Sequence, residues 1–408
     1  MRVLQINSVC GIGSTGRIAT DLAAVLEAEG HECYIAYGRE SGIPENSKYI
    51  RIGTKMDNYL HVAKTRVFDR HGFGSKKATL AFIEEVKKLN PDVIHLQNIH
   101  GYYLNIEIFF NFLKEFNKKV IWTLHDCWAF TGHCSHFDYI NCNKWVNGCR
   151  SCPLKKGYPS SLLVDNSRRN YREKKELFTG IDDLTIVTPS KWLARLVGQS
   201  FLKEYPVKVI NNGIELNIFK PTTSNFRDKY QLQGKFILLG VANVWGEEKG
   251  FNQFLELSKK IQNDEVIVMV GLTNIQIKKL PENVVGIGKT NSMKELAEIY
   301  SAADVFVNPT LNDNFPTTNL EALACGTPVI TFNTGGSVES VDKTSGLIVE
   351  KGNSNELYHA INWLRRRAIP QENCIERSKL YRKNDRFKEY IELYHDGIAF
   401  TSVSGEYK

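Results

Sequence analysis

The chain has 408 residues, which exceeds one ordinary hydrophobic core and indicates two domains. Its 42% hydrophobic and 24% charged residues are globular values, and a net charge of +7 is too low for a nucleic-acid-binding domain. No apolar run reaches the roughly 18 residues that span a bilayer, and the chain opens into a strand without a signal-peptide pattern, so we expect a cytoplasmic protein.

The first half alternates short apolar strands with amphipathic helices. In chain order, the predicted elements are strand RVLQINSV, helix 15–29, strand ECYIAYG, helix 79–89, strand DVIHLQ, helix 106–116, strand KKVIWTLHD, helix NSRRNYREKKELF, strand LTIVTPS, helix KWLARLVGQSF and strand VKVINNGI. This alternation is typical of a parallel, doubly wound sheet.

A second series of the same kind begins after a polar, turn-rich segment around position 216. Its predicted elements are strand KFILLGVAN, helix FNQFLELSKKIQ, strands EVIVMVG and NVVGIG, helix SMKELAEIYSAA, strand DVFVNPT, helix LEALACG and strand PVITFN. We therefore expect an α/β protein with two Rossmann-like domains facing across a cleft. The predicted boundaries are 1–215, with a cysteine-rich insert at 127–152, then 216–385, and a C-terminal helix and tail at 386–408 that packs back on the first domain.

A glycine loop follows the first strand. Gly11, Gly13 and Gly16 form G-x-G-x-x-G, which between a strand and a helix predicts a phosphate-binding turn. One interpretation is NAD(P) binding by an oxidoreductase, in which Arg39 and Glu40, after the second strand, would bind the ribose. In the other, the loop faces a cleft, its backbone approaches a diphosphate or sugar, and Arg17 meets the phosphates.

The segment 312–330, NDNFPTTNLEALACGTPVI, carries a second group of polar residues. Thr317 and Thr318 lie at a predicted helix start, where free N–H groups and the helix dipole favour phosphate. Glu321, one turn on, can accept hydrogen bonds from a ribose diol, and Asp313 from sugar hydroxyls. A capped helix with a solvated acid is the alternative.

This segment resembles the donor-binding signature of retaining glycosyltransferases of family 4, which have the GT-B fold. The similar stretches are the acid-x7-Glu pair with the EALACGTPVI run, VINNGIELNIFKP at 209–221, VTPSKWLA, EEKGF with Lys249, and TGGSVES with Glu339. Two features depart from the family pattern. Asp313 stands where many members have Glu, and ANVWGEEKG lacks the arginine that commonly precedes the lysine.

The resemblance implies retaining transfer of a sugar from a UDP- or GDP-sugar to a glycan or lipid-linked acceptor, without a required cofactor. The implied catalytic residues are His125, Lys249, Asp313 and Glu321. The expected donor-binding residues are Gly13, Arg17, Asn243, Lys249, Asp313, Phe315, Thr317, Thr318 and Glu321. Surface polysaccharide synthesis is the expected role, and a basic helix at 168–178 suggests contact with an anionic membrane at the inner face of the plasma membrane. A solvated helix face is the alternative.

Three side chains follow strands of the first half. His125 ends the strand KKVIWTLHD, where it either points into the cleft toward the donor sugar or is a core histidine. Asn98 and His100 follow another strand and are candidates for acceptor contacts.

The insert carries Cys134, Cys142, Cys149 and Cys152 in a C-x7-C-x6-C-x2-C pattern. The final C-x-x-C suits tetrahedral zinc, which would make this a structural site without a catalytic role. Buried free thiols are the alternative. Two other functional classes stay open for the whole chain: the NAD(P) oxidoreductase and a non-catalytic, glycosyltransferase-like partner subunit.

Overall fold

The computed structural model describes residues 1–44 and 46–396. The first half contains β1 (Arg2–Asn7), α1 (Gly13–Ala28), β2 (Glu32–Tyr37), β3 (Tyr49–Arg51), α2 (Lys55–Phe68), α3 (Lys76–Leu89), β4 (Val93–Leu96), α4 (Ile106–Glu115), β5 (Lys119–Thr123), α5 (Lys144–Asn147), α6 (Ser167–Phe178), β6 (Leu184–Thr188), α7 (Lys191–Gln199) and β7 (Val207–Val209).

The second half contains α8 (Phe226–Lys229), β8 (Phe236–Val241), α9 (Phe251–Ser258), β9 (Glu265–Val270), α10 (Asn274–Ile277), β10 (Val284–Ile287), α11 (Met293–Ala302), β11 (Val305–Asn308), α12 (Thr317–Ala324), β12 (Val329–Phe332), β13 (Gly346–Val349), α13 (Ser354–Arg366), α14 (Gln371–Lys379) and α15 (Lys383–His395). Short 3-10 turns lie at Trp128–Phe130, Asp138–Ile140, Glu247–Lys249 and Ser337–Ser340.

These strands form two parallel sheets, which confirms the predicted α/β architecture of two Rossmann-like units. The first sheet has seven strands in the order β3-β2-β1-β4-β5-β6-β7, and the second has six in the order β10-β9-β8-β11-β12-β13. Strand order reverses between β1 and β4 in the first sheet and between β8 and β11 in the second. In such sheets the crevice at this reversal, beyond the carboxyl ends of the strands, binds ligands.

Alternating side chains of each strand feed cores on both faces of its sheet. In β1, Leu4 and Ile6 pack on one face and Val3 on the other, all fully buried. Because both faces are covered, the strands are continuous apolar runs, which is the pattern that made them predictable.

The C-terminal helix α15 lies against the first sheet, although it follows the second in sequence. Its Tyr390 and Tyr394 share a core cluster with Val3, and the Tyr394 hydroxyl lies 2.7 Å from His95 Nδ1. The main chain therefore crosses back to the first domain after α14. Residues 397–408 of the predicted tail lie outside the described residues.

Two elements occur in the segment 40–78, where the sequence analysis assigned none: β3 and the 14-residue helix α2. A Thr54–Asp57 capping box starts α2, and Asp69 in the left-handed conformation ends it. Within the described ranges, no helix has the length and apolar character needed to cross a membrane.

Candidate active site

The loops that follow β5 and β11 meet between the two sheets. Asn314 joins them, because its Nδ2 donates to the His125 carbonyl oxygen (3.2 Å) and its Oδ1 accepts from Ser190 Oγ (2.6 Å). Glu339 makes a second contact between the halves. Its carboxylate accepts from the backbone N–H groups of Lys191 (2.9 Å) and Trp192 (2.7 Å) at the start of α7, where the helix dipole favours an anion.

Lys249 and Asp313 face each other on the second-domain side of this cleft. Lys249 Nζ lies 2.6 Å from Asp313 Oδ2, with 42% of the lysine side chain and 18% of the aspartate side chain exposed. The lysine follows β8 and the aspartate follows β11, so the two strands at the order reversal each supply one charge. Motif spacing predicted both residues but not that they pair with each other.

Glu321 lies in the first turns of α12. Its Oε2 accepts from the Tyr300 hydroxyl (2.9 Å), and Thr317 also bonds to it. Burial raises the pKa of this carboxyl group, and the hydrogen bonds and the positive charge of Arg17 oppose the rise. Arg17 belongs to the first domain, so the glycine loop and α12 face each other across the cleft.

The start of α12 is open to a ligand. Thr317 and Thr318 are the first two residues of the helix and are partly exposed. Within residues 1–44 and 46–396, no side chain caps this helix start. Its free N–H groups and the Thr318 hydroxyl can therefore bind an anion such as phosphate.

A tight glycine turn holds the loop that carries Asp313. A Cβ at Gly335 would lie 1.9 Å from the Asp313 carbonyl oxygen, and one at Gly336 would lie 2.0 Å from that of Asn314. Only glycine allows this approach, so the Gly-Gly pair fixes the backbone beneath the Lys249–Asp313 pair.

The G-x-G-x-x-G loop forms a compact turn at the start of α1. The Gly11 N–H donates to the Gly16 carbonyl oxygen (3.1 Å). Gly13 has a φ of 63°, and a Cβ built there would meet nothing within 4 Å. The left-handed backbone at position 13 thus favours glycine, while the space beside it is open for a ligand. Arg39 and Glu40 are exposed after β2.

His125 follows β5 and is partly buried. Its Nε2 lies 3.1 Å from Gln97 Oε1, an oxygen that only accepts, so we assign the proton to Nε2 and a free lone pair to Nδ1. Burial lowers the pKa of His125 to about 4. A neutral imidazole at neutral pH can accept a hydrogen bond from a sugar hydroxyl but cannot supply a positive charge.

Two residues predicted to bind the acceptor line a cavity at the end of β4. Asn98 and His100 share it with His125 and Asp126. Both ring nitrogens of His100 are occupied, since Nε2 lies 2.7 Å from Asp126 Oδ2 and Nδ1 lies 3.1 Å from the Tyr158 hydroxyl. His100 therefore shapes this cavity through protein contacts, and Asn98 is the better placed of the two to meet a ligand.

Two of the residues expected to bind the donor, Phe315 and Asn243, differ in how far their side chains are exposed. Phe315 is 3% exposed and packs on Tyr381, with ring centroids 5.6 Å apart, so its side chain belongs to the core. Asn243 is exposed just beyond the end of β8. Phe315 can meet a donor through its backbone alone.

Sequence reasoning missed several residues that the fold brings to the site. These are Gln97, Ser190, Tyr300, Asn314 and His136. His136 comes from the cysteine-rich insert, where its Nδ1 is buried and has no hydrogen-bond partner among the described residues. Burial and the positive charge of Lys249 lower the pKa of His136, and the carboxylates of Asp126 and Asp313 oppose the shift, which places the insert beside the charged pair. Short polar residues in loops carry no periodic signal, so only tertiary structure reveals them.

The four cysteines of the insert line one small cavity together with His133. His133 Nδ1 bonds to the buried Asp69, and its Nε2 has no partner within the described ranges. These donor types suit zinc. In residues 1–44 and 46–396, however, no three His, Cys, Asp or Glu side chains are arranged to hold a metal ion, so zinc binding stays a prediction.

Two family profiles together match most of the chain. The profile described as Glycosyltransferase Family 4 matches residues 15–218, and that described as Glycosyl transferases group 1 matches residues 222–381. A curated relative, the putative colanic acid biosynthesis glycosyl transferase WcaC of Escherichia coli K12, is 25% identical over 414 residues, covering 97% of this chain and 100% of the relative. D-inositol 3-phosphate glycosyltransferase of Streptosporangium roseum is 33% identical over 166 residues, covering 35% of this chain and 38% of the relative.

Solved structures share the architecture along nearly the whole chain. Sucrose-phosphate synthase from Thermosynechococcus elongatus superposes with a TM-score of 0.70 at 18% identity, covering 97% of this chain and 98% of that one. Anabaena Alr3699/HepE in complex with UDP gives 0.68 at 14% identity, covering 97% of this chain and 100% of that one. At these identities the likeness establishes the GT-B fold.

Proposed function

Since this chain belongs to glycosyltransferase family 4 and has the GT-B fold, we propose that it transfers a sugar from a UDP- or GDP-sugar to a hydroxyl of a glycan or lipid-linked acceptor, with retention at the anomeric carbon. The observation that carries the donor part is the charged arrangement across the cleft. Lys249 pairs with Asp313 just before α12, the start of α12 is uncapped, and Arg17 acts on Glu321 in the same helix, so three groups that favour a diphosphate are grouped around this helix start.

We assign the following roles to these groups. Glu321, which accepts from the Tyr300 hydroxyl, also accepts hydrogen bonds from the ribose hydroxyls, and the backbone N–H groups of Thr317 and Thr318 donate to the diphosphate. Lys249 moves from Asp313 to the phosphates, which frees Asp313 to accept hydrogen bonds from the sugar. On the first-domain side of the cleft, neutral His125 accepts a hydrogen bond from another sugar hydroxyl.

The reaction replaces one bond at the anomeric carbon. The bond from that carbon to the diphosphate oxygen breaks, a bond to the acceptor oxygen forms on the same face, and the acceptor proton passes to the leaving diphosphate. Charge grows on the diphosphate as it leaves. Lys249 and the N-terminus of α12 are preorganised to stabilise that charge, which is the larger part of what the protein must contribute.

For the acceptor, we propose a growing surface polysaccharide or its lipid-linked precursor. The support is the match along nearly the full length to a relative named for colanic acid biosynthesis. For the donor base, UDP is the first choice to test, because Alr3699/HepE, which has the same fold, has been solved with UDP and with UDP-glucose.

The test is calorimetric binding of UDP, GDP and NADP to the wild type and to two variants. Glu321→Gln removes the charge but keeps a partner for Tyr300, and a lost hydrogen bond to a charged group should weaken nucleotide binding by about 1.5–3 kcal/mol. Gly13→Asn keeps the left-handed backbone that Gly13 adopts while adding a side chain at the open space. We expect it to reduce transfer strongly and nucleoside diphosphate binding by no more than a few-fold.

Other results would overturn parts of the proposal. Tight NADP binding that Gly13→Asn abolishes would favour the oxidoreductase, because the loop itself would then be the pyrophosphate site. Nucleotide affinity unchanged in Glu321→Gln would remove the ribose role. Tight nucleotide-sugar binding without any turnover on supplied acceptors would favour a non-catalytic partner subunit.

A further inference from the structure

Helix α2 presents apolar side chains to solvent and polar ones to the protein. His61 and Thr65 are its buried residues. The His61 ring accepts from the N–H groups of Gly72 and Gly74, and the Thr65 hydroxyl donates to the His61 carbonyl oxygen. This polar packing secures the helix, so its apolar residues are not needed for the core.

Those apolar residues form a stripe on the opposite side. At 100° per residue, Met56, Leu60, Ala63 and Val67 fall within about 40° of one direction, and Tyr59 lies beside them. Met56, Tyr59 and Leu60 are 63–67% exposed. Isolated exposed apolar residues are ordinary, but a continuous stripe on a helix marks an interaction surface.

A loop before α6 extends the stripe. The Leu162 N–H donates to the Arg66 carbonyl oxygen (2.7 Å), which docks the loop on the end of α2. Leu162 and Leu163 in this loop are 62% and 70% exposed. We call the surface formed by Met56, Tyr59, Leu60, Leu162 and Leu163 the apolar face.

The charges around the apolar face are basic. Arg66 and Lys55 flank the stripe on one side, and Lys156 is exposed in the loop before Leu162. On the other side, Lys64 donates from its Nζ to the Phe73 carbonyl oxygen (2.8 Å). The neighbouring carboxylates are engaged locally. Asp57 caps α2 through Thr54, and Asp165 accepts from the N–H groups of Cys152 and Ser167.

We propose that the apolar face inserts into an anionic phospholipid bilayer. Protruding apolar side chains with a rim of Lys and Arg are what an interfacial helix presents to such a surface, whereas a protein partner would need a complementary groove. The proposal deepens the proposed function and rests on it for one point, the lipid-borne acceptor. Asn58, on the inner side of α2, donates to the Tyr102 carbonyl oxygen, so α2 would lie between the bilayer and the loop that carries Asn98 and His100.

The apolar face is a separate surface from the basic helix for which the sequence suggested membrane contact, and that expectation stays a prediction. In the basic helix 168–178, which corresponds to α6, Lys174 is buried and donates to the carbonyl oxygens of Trp128 and Thr131, and Arg169 pairs with Glu173. Arg168 stays exposed next to the loop of Leu163 and adds to the basic rim.

The experiment is flotation of the full-length protein with vesicles, without donor or acceptor. We expect the wild type to float with mixed phosphatidylglycerol–phosphatidylcholine vesicles, less at high salt, and little with phosphatidylcholine alone. The double variant Leu60→Asp/Leu163→Asp should bind about tenfold or more weakly, since two leucine side chains lose their burial in lipid. Leu380→Asp is the matched control, because Leu380 is 56% exposed on the second domain, and its binding should equal that of the wild type.

Two controls make the outcome decisive. Melting temperatures show whether each variant is folded, and UDP calorimetry shows whether the donor site is intact. Wild type that fails to float, or a folded double variant that floats as well as wild type, would overturn the proposal even when UDP binding supports the proposed function. Self-association lost in the double variant, without lipid binding by wild type, would instead assign the face to a second copy of the chain.

Discussion

Replacing Asp313 with asparagine should have opposite effects on nucleotide binding and on transfer. In the structure Lys249 is held by Asp313 at 2.6 Å. A diphosphate must therefore compete with Asp313 for the lysine. The neutral amide in Asp313→Asn cannot form this ion pair, so Lys249 would be available to the phosphates before they arrive.

The partial exposure of both side chains sets the size of the effect. Ion pairs this exposed contribute about 0.2–1 kcal/mol, so we expect UDP to bind up to about fivefold more tightly to Asp313→Asn. Transfer should fall, because the amide is not a charged acceptor for the sugar hydroxyls, a contribution of about 1.5–3 kcal/mol. The gain in UDP affinity should shrink at high salt, where the pair is already screened.

A double-mutant cycle separates the possible causes. Calorimetry with Asp313→Asn, Lys249→Met and the double variant measures how far the two residues couple. Tightening that persists without Lys249 would reflect direct repulsion between Asp313 and the diphosphate. Weaker or unchanged UDP binding in Asp313→Asn would refute the competition between aspartate and phosphate.

Three further predictions concern the rest of the site. Glu339→Gln removes the anion from the start of α7, which should lower the melting temperature and kcat. UDP affinity should stay within about twofold to threefold of the wild-type value. A kcat equal to that of the wild type would contradict a role of Glu339 in joining the domains. Burial favours the neutral form of Asp126, but the His100 and His136 rings and the Trp128 backbone N–H together lower the pKa of Asp126 to about 2. The ionised carboxylate therefore stabilises the fold above the ordinary Asp pKa, and that contribution is lost as pH falls toward 2. Unfolding by denaturant between roughly pH 5 and pH 2 should therefore show a smaller acid dependence in Asp126→Asn than in wild type. Elemental analysis should find about one zinc per chain, lost in Cys149→Ser/Cys152→Ser; wild type expressed with zinc present and found metal-free would end that prediction.

The burial of apolar side chains explains why the strands could be predicted from the sequence and why helix α2 could not. Strands such as β4 and β9 are buried on both faces, so their sequences are apolar throughout most of their length. In α2 the buried positions are His61 and Thr65 and the apolar positions face solvent. Periodicity assumes that apolar residues point inward, and α2 departs from that assumption where we propose a lipid surface.

Motif spacing found the ionisable residues of the site but not their partners. Asp313, Lys249 and Glu321 were identified because they resemble a family signature, and their roles stay predictions. Phe315 was expected at the donor because it lies in the same motif, yet an apolar ring with an adjacent core packs there instead. Hydrogen bonds across domains, such as those of Asn314, depend on how two sheets meet and leave no local pattern.

Asn314 forms hydrogen bonds that connect the second domain to the first across the cleft. It follows Asp313 directly, and its amide spans Ser190 and the His125 carbonyl oxygen of the first domain. In the proposed function Asp313 and His125 both contact the sugar, so the hydrogen bonds of Asn314 hold the loop of Asp313 against the strand end of His125. The Gly335–Gly336 turn packs against the backbone of the same loop. A shift of the second domain therefore moves Asp313 and Asn314 together. Under the proposed function, we therefore expect domain closure, rather than side-chain rotation alone, to bring the sugar into contact with both His125 and Asp313, and misplacement by about 1 Å can cost on the order of a hundredfold in rate.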